Sequence, residues 1–298
     1  MMRFRPFAFI FATGVVVGAS ASIGQVSPGS PEIKRVEPGY ITNEEIANSR
    51  PMAVPELSER ELKLLNDKSE MPLALPKADP LSFGLPANAN VAMFPYSAAG
   101  KLWTLFPGST QWEECSAQFV GGNNMLLTAA HCVRKGDGTW AIKGEFIRAF
   151  DNGGGERVAL ECWTTWPNWV TDPFPLKYRW DYAFIRTRAP SNAGFFGLNP
   201  AQDLTFEAIG YPHNFATGKH MQKVTGSRGP SGEGQVRMEG NPFQDGASGG
   251  AWHVNGVVMG NNSRFVRVEP TRQWSPLYDS NVAALWRHLH GLPPCTTS

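Results

Sequence analysis

Asp245-Gly246-Ala247-Ser248-Gly249-Gly250 decides how the rest of this chain is read. One serine stands among residues with little or no side chain. Glycine reaches backbone angles closed to other residues and admits close approach of another group. A serine in such a turn projects its hydroxyl, while the amides of Gly246 and Ser248 point at one spot beside it. That is the layout of a nucleophile with an oxyanion hole. An ordinary surface turn uses the same residue types. The stretch therefore acquires meaning only with a histidine and a carboxylate elsewhere.

Both are present upstream. Leu127-Thr128-Ala129-Ala130-His131-Cys132 ends an apolar run on a histidine that follows two alanines and adjoins a cysteine. Small neighbours leave the imidazole room to turn. Asp181-Tyr182-Ala183-Phe184-Ile185 places an acid at the mouth of an apolar strand. An acid buried there needs a partner, and an imidazole N–H would supply one; a cap or an ion pair with Arg179 is the plainer alternative. The chain order His, Asp, Ser is one of the known triad orders.

Composition is that of a globular protein, and the first residues add a sign of export. The chain has 298 residues, enough for one large domain or two lobes. Its 27 basic and 26 acidic residues leave a net charge of +1, which argues against a nucleic-acid partner. Arg3 and Arg5, the apolar run Phe7–Val17 and Ala19-Ser20-Ala21 read as a secretory signal over residues 1–21. No second run is apolar enough for a membrane anchor. The four cysteines, Cys115, Cys132, Cys162 and Cys295, allow three pairings, and an oxidising compartment favours disulfides. A Cys115–Cys132 bridge would close the hairpin beside His131.

Residues 22–89 differ in texture: rich in Pro, Glu and Ser, without Trp or Cys. They read as a pro-segment or N-terminal arm, with a helix over about Pro55–Asp67; a disordered linker is the alternative. From about Val91, short apolar runs alternate with turn signals. Strands are expected near Lys101–Leu105, Ser116–Val120, Met125–Ala129, Phe146–Phe150, Val158–Trp163, Tyr182–Arg186, Leu204–Ile209, Gly234–Met238 and Val254–Met259. Asp279-Ser280-Asn281 caps a closing helix that Gly291 and Pro293-Pro294 stop. The pattern is an all-β body over residues 90–298 with one C-terminal helix.

The three motifs together resemble those of the chymotrypsin-like serine proteases. Phe94–Leu102 and Ile209-Gly210-Tyr211-Pro212 are similar to the V8-like, or glutamyl endopeptidase, branch. The resemblance spans about Phe94 to His290. It implies two six-stranded antiparallel β-barrels with the active site between them, and a secreted monomer that cuts polypeptides with no metal or organic cofactor. By that resemblance Ser248 is the nucleophile, His131 the base, Asp181 its partner, and Gly246 and Ser248 the oxyanion hole. Phe243, Asn262 and Ser263 fall where that branch binds the substrate side chain. None of them carries a positive charge, so glutamate preference is not implied. Arg264 is expected as a surface residue at a strand end. Ala247 stands where trypsin-type enzymes have an aspartate that pairs with the new N-terminus, so that activation switch is not expected. Trp163, Trp166 and Trp169 read as packing over a barrel rim. The alternatives are an inactive protease-like binding protein and an esterase using the same residues.

Overall fold

The computed structural model describes residues 28–37, 39–56, 58–67, 84–199 and 205–295. The segment expected to be a signal lies outside them. Two β-sheets and a C-terminal helix make up the body.

The first sheet runs, edge to edge, through Glu32–Arg35, Leu160–Thr165, Ala183–Thr187, Met125–Thr128, Glu113–Phe119, Ala99–Leu105, Lys143–Asp151 and Gly154–Val158. The second runs through Gly197–Leu198, Val257–Asn261, Ala251–Val254, Thr205–Gly210, Gln222–Gly232, Gln235–Glu239, Arg272–Pro276 and Arg264–Phe265. Each sheet counts nine strands rather than six. The surplus includes two-residue strands and additions from the arm: Glu32–Arg35 and Arg50–Pro51 join the first sheet, Ala87–Asn88 the second. Pairing is antiparallel except for Arg50–Pro51 on Glu113–Glu114 and Gly197–Leu198 on Val257–Val258. Leu102, Phe119, Leu126, Phe146, Trp163 and Phe184 fill the first interior. Phe206, Val224, Val236, Met238 and Trp252 fill the second. Alternating apolar residues on curled antiparallel strands bury such interiors with little helix.

Strand register carries the upstream motifs to one place. Ala183 pairs with Thr128 antiparallel, so Asp181 lies opposite the turn Ala130–Cys132 that holds His131. The closing helix occupies Ser280–His290, and the Asp279 side chain accepts from the Asn281 amide at 2.8 Å. Val282, Leu285 and Leu289 are its buried face. Disulfides join Cys115 to Cys132 and Cys162 to Cys295. The second ties the C-terminal tail to the strand Leu160–Thr165.

The arm is docked where it is described. Its helix spans Glu59–Asp67, shorter than the expected Pro55–Asp67, because residues 50–56 are extended against both sheets. Glu114 stitches the parts together. Its carboxylate takes Lys101 Nζ at 2.6 Å, His213 Nε2 at 2.8 Å and the Ser49 hydroxyl. Lys101 belongs to the first sheet, His213 follows the strand Thr205–Gly210 of the second, and Ser49 belongs to the arm. Burial would raise the Glu114 pKa, but the bonds from His213, Lys101 and Ser49 outweigh it and hold the group at about 2.

That depression links stability to acid. A carboxylate whose folded pKa lies below its ordinary value of 4.5 contributes fully above that value and is lost as pH falls toward 2. Glu114→Gln should therefore cost roughly 3 kcal/mol at pH 7, with the difference from wild type closing between about pH 4.5 and 2. Denaturant unfolding at a series of pH values measures it.

Candidate active site

Asp181 is fully buried and His131 is 7% exposed. His131 Nδ1 lies 2.8 Å from Asp181 Oδ2 and 3.0 Å from Oδ1, and the His131 backbone N–H donates to Oδ1 at 2.9 Å. The Ser263 hydroxyl donates to Oδ2 at 2.5 Å. Burial pushes the Asp181 carboxyl up, but the His131 charge and these hydrogen bonds prevail and hold it below the ordinary aspartate value. An ionised carboxylate only accepts. The proton of a neutral His131 therefore sits on Nδ1, and Nε2 keeps its lone pair. Trp169 frames the ring at 6.5 Å between centroids and is fixed through its Nε1–H to the Arg134 carbonyl at 2.7 Å. Trp163, Trp166 and Trp169 are buried packing residues.

The serine loop comes from the second sheet and is pinned to the first by Ser116. The Ser116 backbone N–H donates to the Ser248 carbonyl at 2.8 Å. Its hydroxyl donates to the Gly246 carbonyl and accepts the Tyr211 N–H, both at 3.0 Å. Gly246 has φ +87° and Gly249 φ +83°, the left-handed region glycine tolerates. A Cβ on Gly249 would meet Thr128 Oγ1 at 2.2 Å, so the loop abuts the strand that leads to His131. The Ser248 backbone N–H donates to no described residue, whereas the Gly246 N–H donates to the carbonyl of Met52, in the arm, at 3.2 Å. Ser248 Oγ and His131 Nε2 are both buried, and neither makes a hydrogen bond among the described residues. The loop thus presents one free amide, one amide held by the arm, an unengaged hydroxyl and an unengaged imidazole nitrogen.

The residues expected to contact a substrate side chain have other tasks. Asn262 is fully buried, and its carboxamide accepts from Trp252 Nε1 at 2.7 Å and Asn241 Nδ2 at 3.0 Å while donating to the carbonyls of Ile209 and Ala247. Ser263 is committed to Asp181. Phe243 is fully buried within the second core, its carbonyl accepting from Gln273. Arg264 is not at the surface. It is fully buried, 3.8 Å over the Tyr178 ring, with Nη2 donating to Gln235; burial lowers its pKa to about 10. The Tyr178 ring face and the Gln235 amide oxygen offset part of the cost of that burial, while Nε and Nη1 make no hydrogen bond among the described residues. Sequence reasoning missed Ser116 and Glu114, whose neighbours are reached only through the fold. Ser263 was noted, but for substrate rather than for Asp181.

No protein-family model matches the chain, and no curated protein matches its sequence. Solved structures do. The protease Anisep from Arthrobacter nicotinovorans is 18% identical over 70% of this chain and 100% of that one, with a TM-score of 0.60. A Glu endopeptidase is 17% identical over 70% and 97%, again at 0.60. A scabies mite inactivated protease paralogue is 15% identical over 66% and 94%, at 0.50. At such identities the likeness defines the fold, and it is chymotrypsin-like. Because the fold also houses an inactivated relative, activity must be argued from the side chains.

Asn262→Leu should destabilise the protein by about 2–4 kcal/mol, because it strands the Trp252 and Asn241 donors in the core and takes one donor each from the Ile209 and Ala247 carbonyls. Thermal melting measures the loss. A variant as stable as wild type would return Asn262 to the substrate site.

Proposed function

We propose that the protein is a serine endopeptidase using Ser248, His131 and Asp181. The observation that carries this reading is the buried Asp181–His131 pair. It sets the imidazole with Nδ1 protonated and Nε2 basic, at the end of the cleft where the serine loop docks. A purely structural pair would share that polarity; what it would not need is a second buried group, the Ser248 hydroxyl, left like His131 Nε2 without a partner among the described residues.

In this mechanism Ser248 Oγ attacks a substrate carbonyl as His131 Nε2 takes its proton, once the two groups engage. Catalytic hydrogen bonds are often unmade until substrate binds. Asp181 stabilises the imidazolium that results. The Gly246 and Ser248 amides receive the oxyanion, each worth about 3–4 kcal/mol in comparable sites. His131 then passes the proton to the leaving amine, and water repeats the sequence on the acyl-enzyme. The substrate is a polypeptide, the protein acts as a monomer, and it is exported, extracellular or periplasmic. Support for export comes from the leader-like residues 1–21, two disulfides, and the lack among described residues of any helix long and apolar enough to cross a membrane. Residues 22–89 serve as a pro-segment.

Digestion of an unfolded protein by the secreted form, beside a Ser248→Ala control, tests the reading. Cleavage should vanish in the control, and Asp181→Asn should lower kcat by about 10⁴-fold. Cleavage that survives Ser248→Ala would remove the proposed nucleophile. Turnover of esters without peptides would favour the esterase reading.

A further inference from the structure

Residues 50–56 cross from one sheet to the other over the candidate site. Arg50 N–H donates to the Trp112 carbonyl at 3.1 Å and Met52 N–H to the Glu114 carbonyl at 2.9 Å. The Met52 carbonyl accepts from Gly246. Val54 N–H donates to Asp245 Oδ1 at 2.9 Å. Glu56 bridges to Phe265 and pairs with Arg267 at 2.9 and 3.0 Å. Leu62, in the following helix, is buried against Val266 and Trp274. Met52 and Val54 are 6% and 4% exposed, and Ser248 beneath has no exposed surface. What remains open beside His131 is a pocket of about 310 Å³, walled on one side by Met52, Ala53 and Pro55.

We infer that this strap is a tethered inhibitor: an interaction surface for a segment of the same chain, built on the groups a substrate needs. The inference rests on reading Ser248 and His131 as the reacting pair. The Met52 carbonyl occupies one oxyanion donor, and the strap's main chain fills pairing positions on both walls of the cleft. Direction explains how the strap escapes its own enzyme. It pairs parallel with Glu113–Glu114 and bridges parallel to Phe265. A peptide threaded the other way would pair antiparallel with the same two edges, the stronger arrangement. Reversing a chain exchanges the two sides of each peptide bond, so the nitrogen that must leave lies on the wrong side of the carbonyl. The strap blocks the cleft without offering a bond in the productive sense. Release then requires displacement of residues 50–56 or a cut on their C-terminal side.

The full-length chain tests this through the rate at which a fluorescent phosphonate labels Ser248. In the variant Val54→Asp/Glu56→Arg the buried Val54 position, whose amide is bound to Asp245, takes a carboxylate and a cation faces Arg267, so the strap is disfavoured at two points. Hydrogen exchange at the Met52 and Val54 amides reports whether the strap is off; Leu62→Asp is added until it is. Circular dichroism checks that the body stays folded. Labelling should be slow in wild type and rise by roughly tenfold or more once exchange shows release. Equal, fast labelling in wild type and the released variant would overturn the strap, as would Met52 and Val54 amides that exchange freely in wild type. No labelling in either, with the strap shown to be off, would instead overturn the catalytic reading beneath it.

Discussion

A carboxylate with no exposed surface must be neutralised where it stands. Removing such a charge from water costs several kcal/mol, and one well-placed cation seldom repays it without further hydrogen bonds. Asp181 meets the demand with the His131 main-chain N–H, the His131 ring and the Ser263 hydroxyl. The donors come from both halves of the molecule. Asn261, two residues before Ser263, donates to the Asp181 carbonyl at 3.3 Å and is itself fixed by Tyr278 at 2.8 Å. The acid is therefore both the chemical anchor of the imidazole and a clamp between the sheets.

Around that clamp the two sheets meet through backbone. Ser116 bonds the serine loop, and the Cys115–Cys132 bridge holds the strand that carries Ser116 to the turn that carries His131. Gly249 is small because Thr128 leaves no room for a side chain. Through these contacts, placing Ser248 depends on the first sheet as much as on the second. The arm adds a third body to the same junction: Ser49 on Glu114 and Met52 on Gly246 tie the strap to the groups that hold the site together.

Much of this was legible in the amino-acid order, and the failures have physical causes. Runs such as Lys101–Leu105 and Tyr182–Arg186 are short, largely apolar and followed by turn signals, so they announce the strands Ala99–Leu105 and Ala183–Thr187. Gln222–Gly232, rich in Gly and Ser, does not, although it is the longest strand; its pairing with Thr205–Gly210 overrides its poor propensity. Val254–Met259 reads as one strand but contains the turn Asn255-Gly256, so it is two strands of a hairpin. Val158–Trp163 divides at Ala159 without forming a hairpin, since Gly154–Val158 and Leu160–Thr165 pair with different neighbours toward opposite ends of the sheet order. His131, Asp181 and Ser248 stand out because small residues and strand ends surround them. Ser116, Glu114 and the true surroundings of Asn262 and Arg264 do not, since each is defined by contacts from distant parts of the chain. The arm's course is invisible for the same reason: nothing in Arg50–Glu56 marks it as a segment that pairs with both sheets.

Nitrogen-15 NMR of the histidine-labelled full chain measures the protonation of His131 most directly. With Asp181 ionised beside it, neutral His131 should carry its proton on Nδ1, with a low-field proton resonance that Asp181→Asn removes. A neutral ring protonated on Nε2, or a resonance indifferent to Asp181→Asn, would contradict the account, because Nε2 would then have no lone pair with which to accept the Ser248 proton.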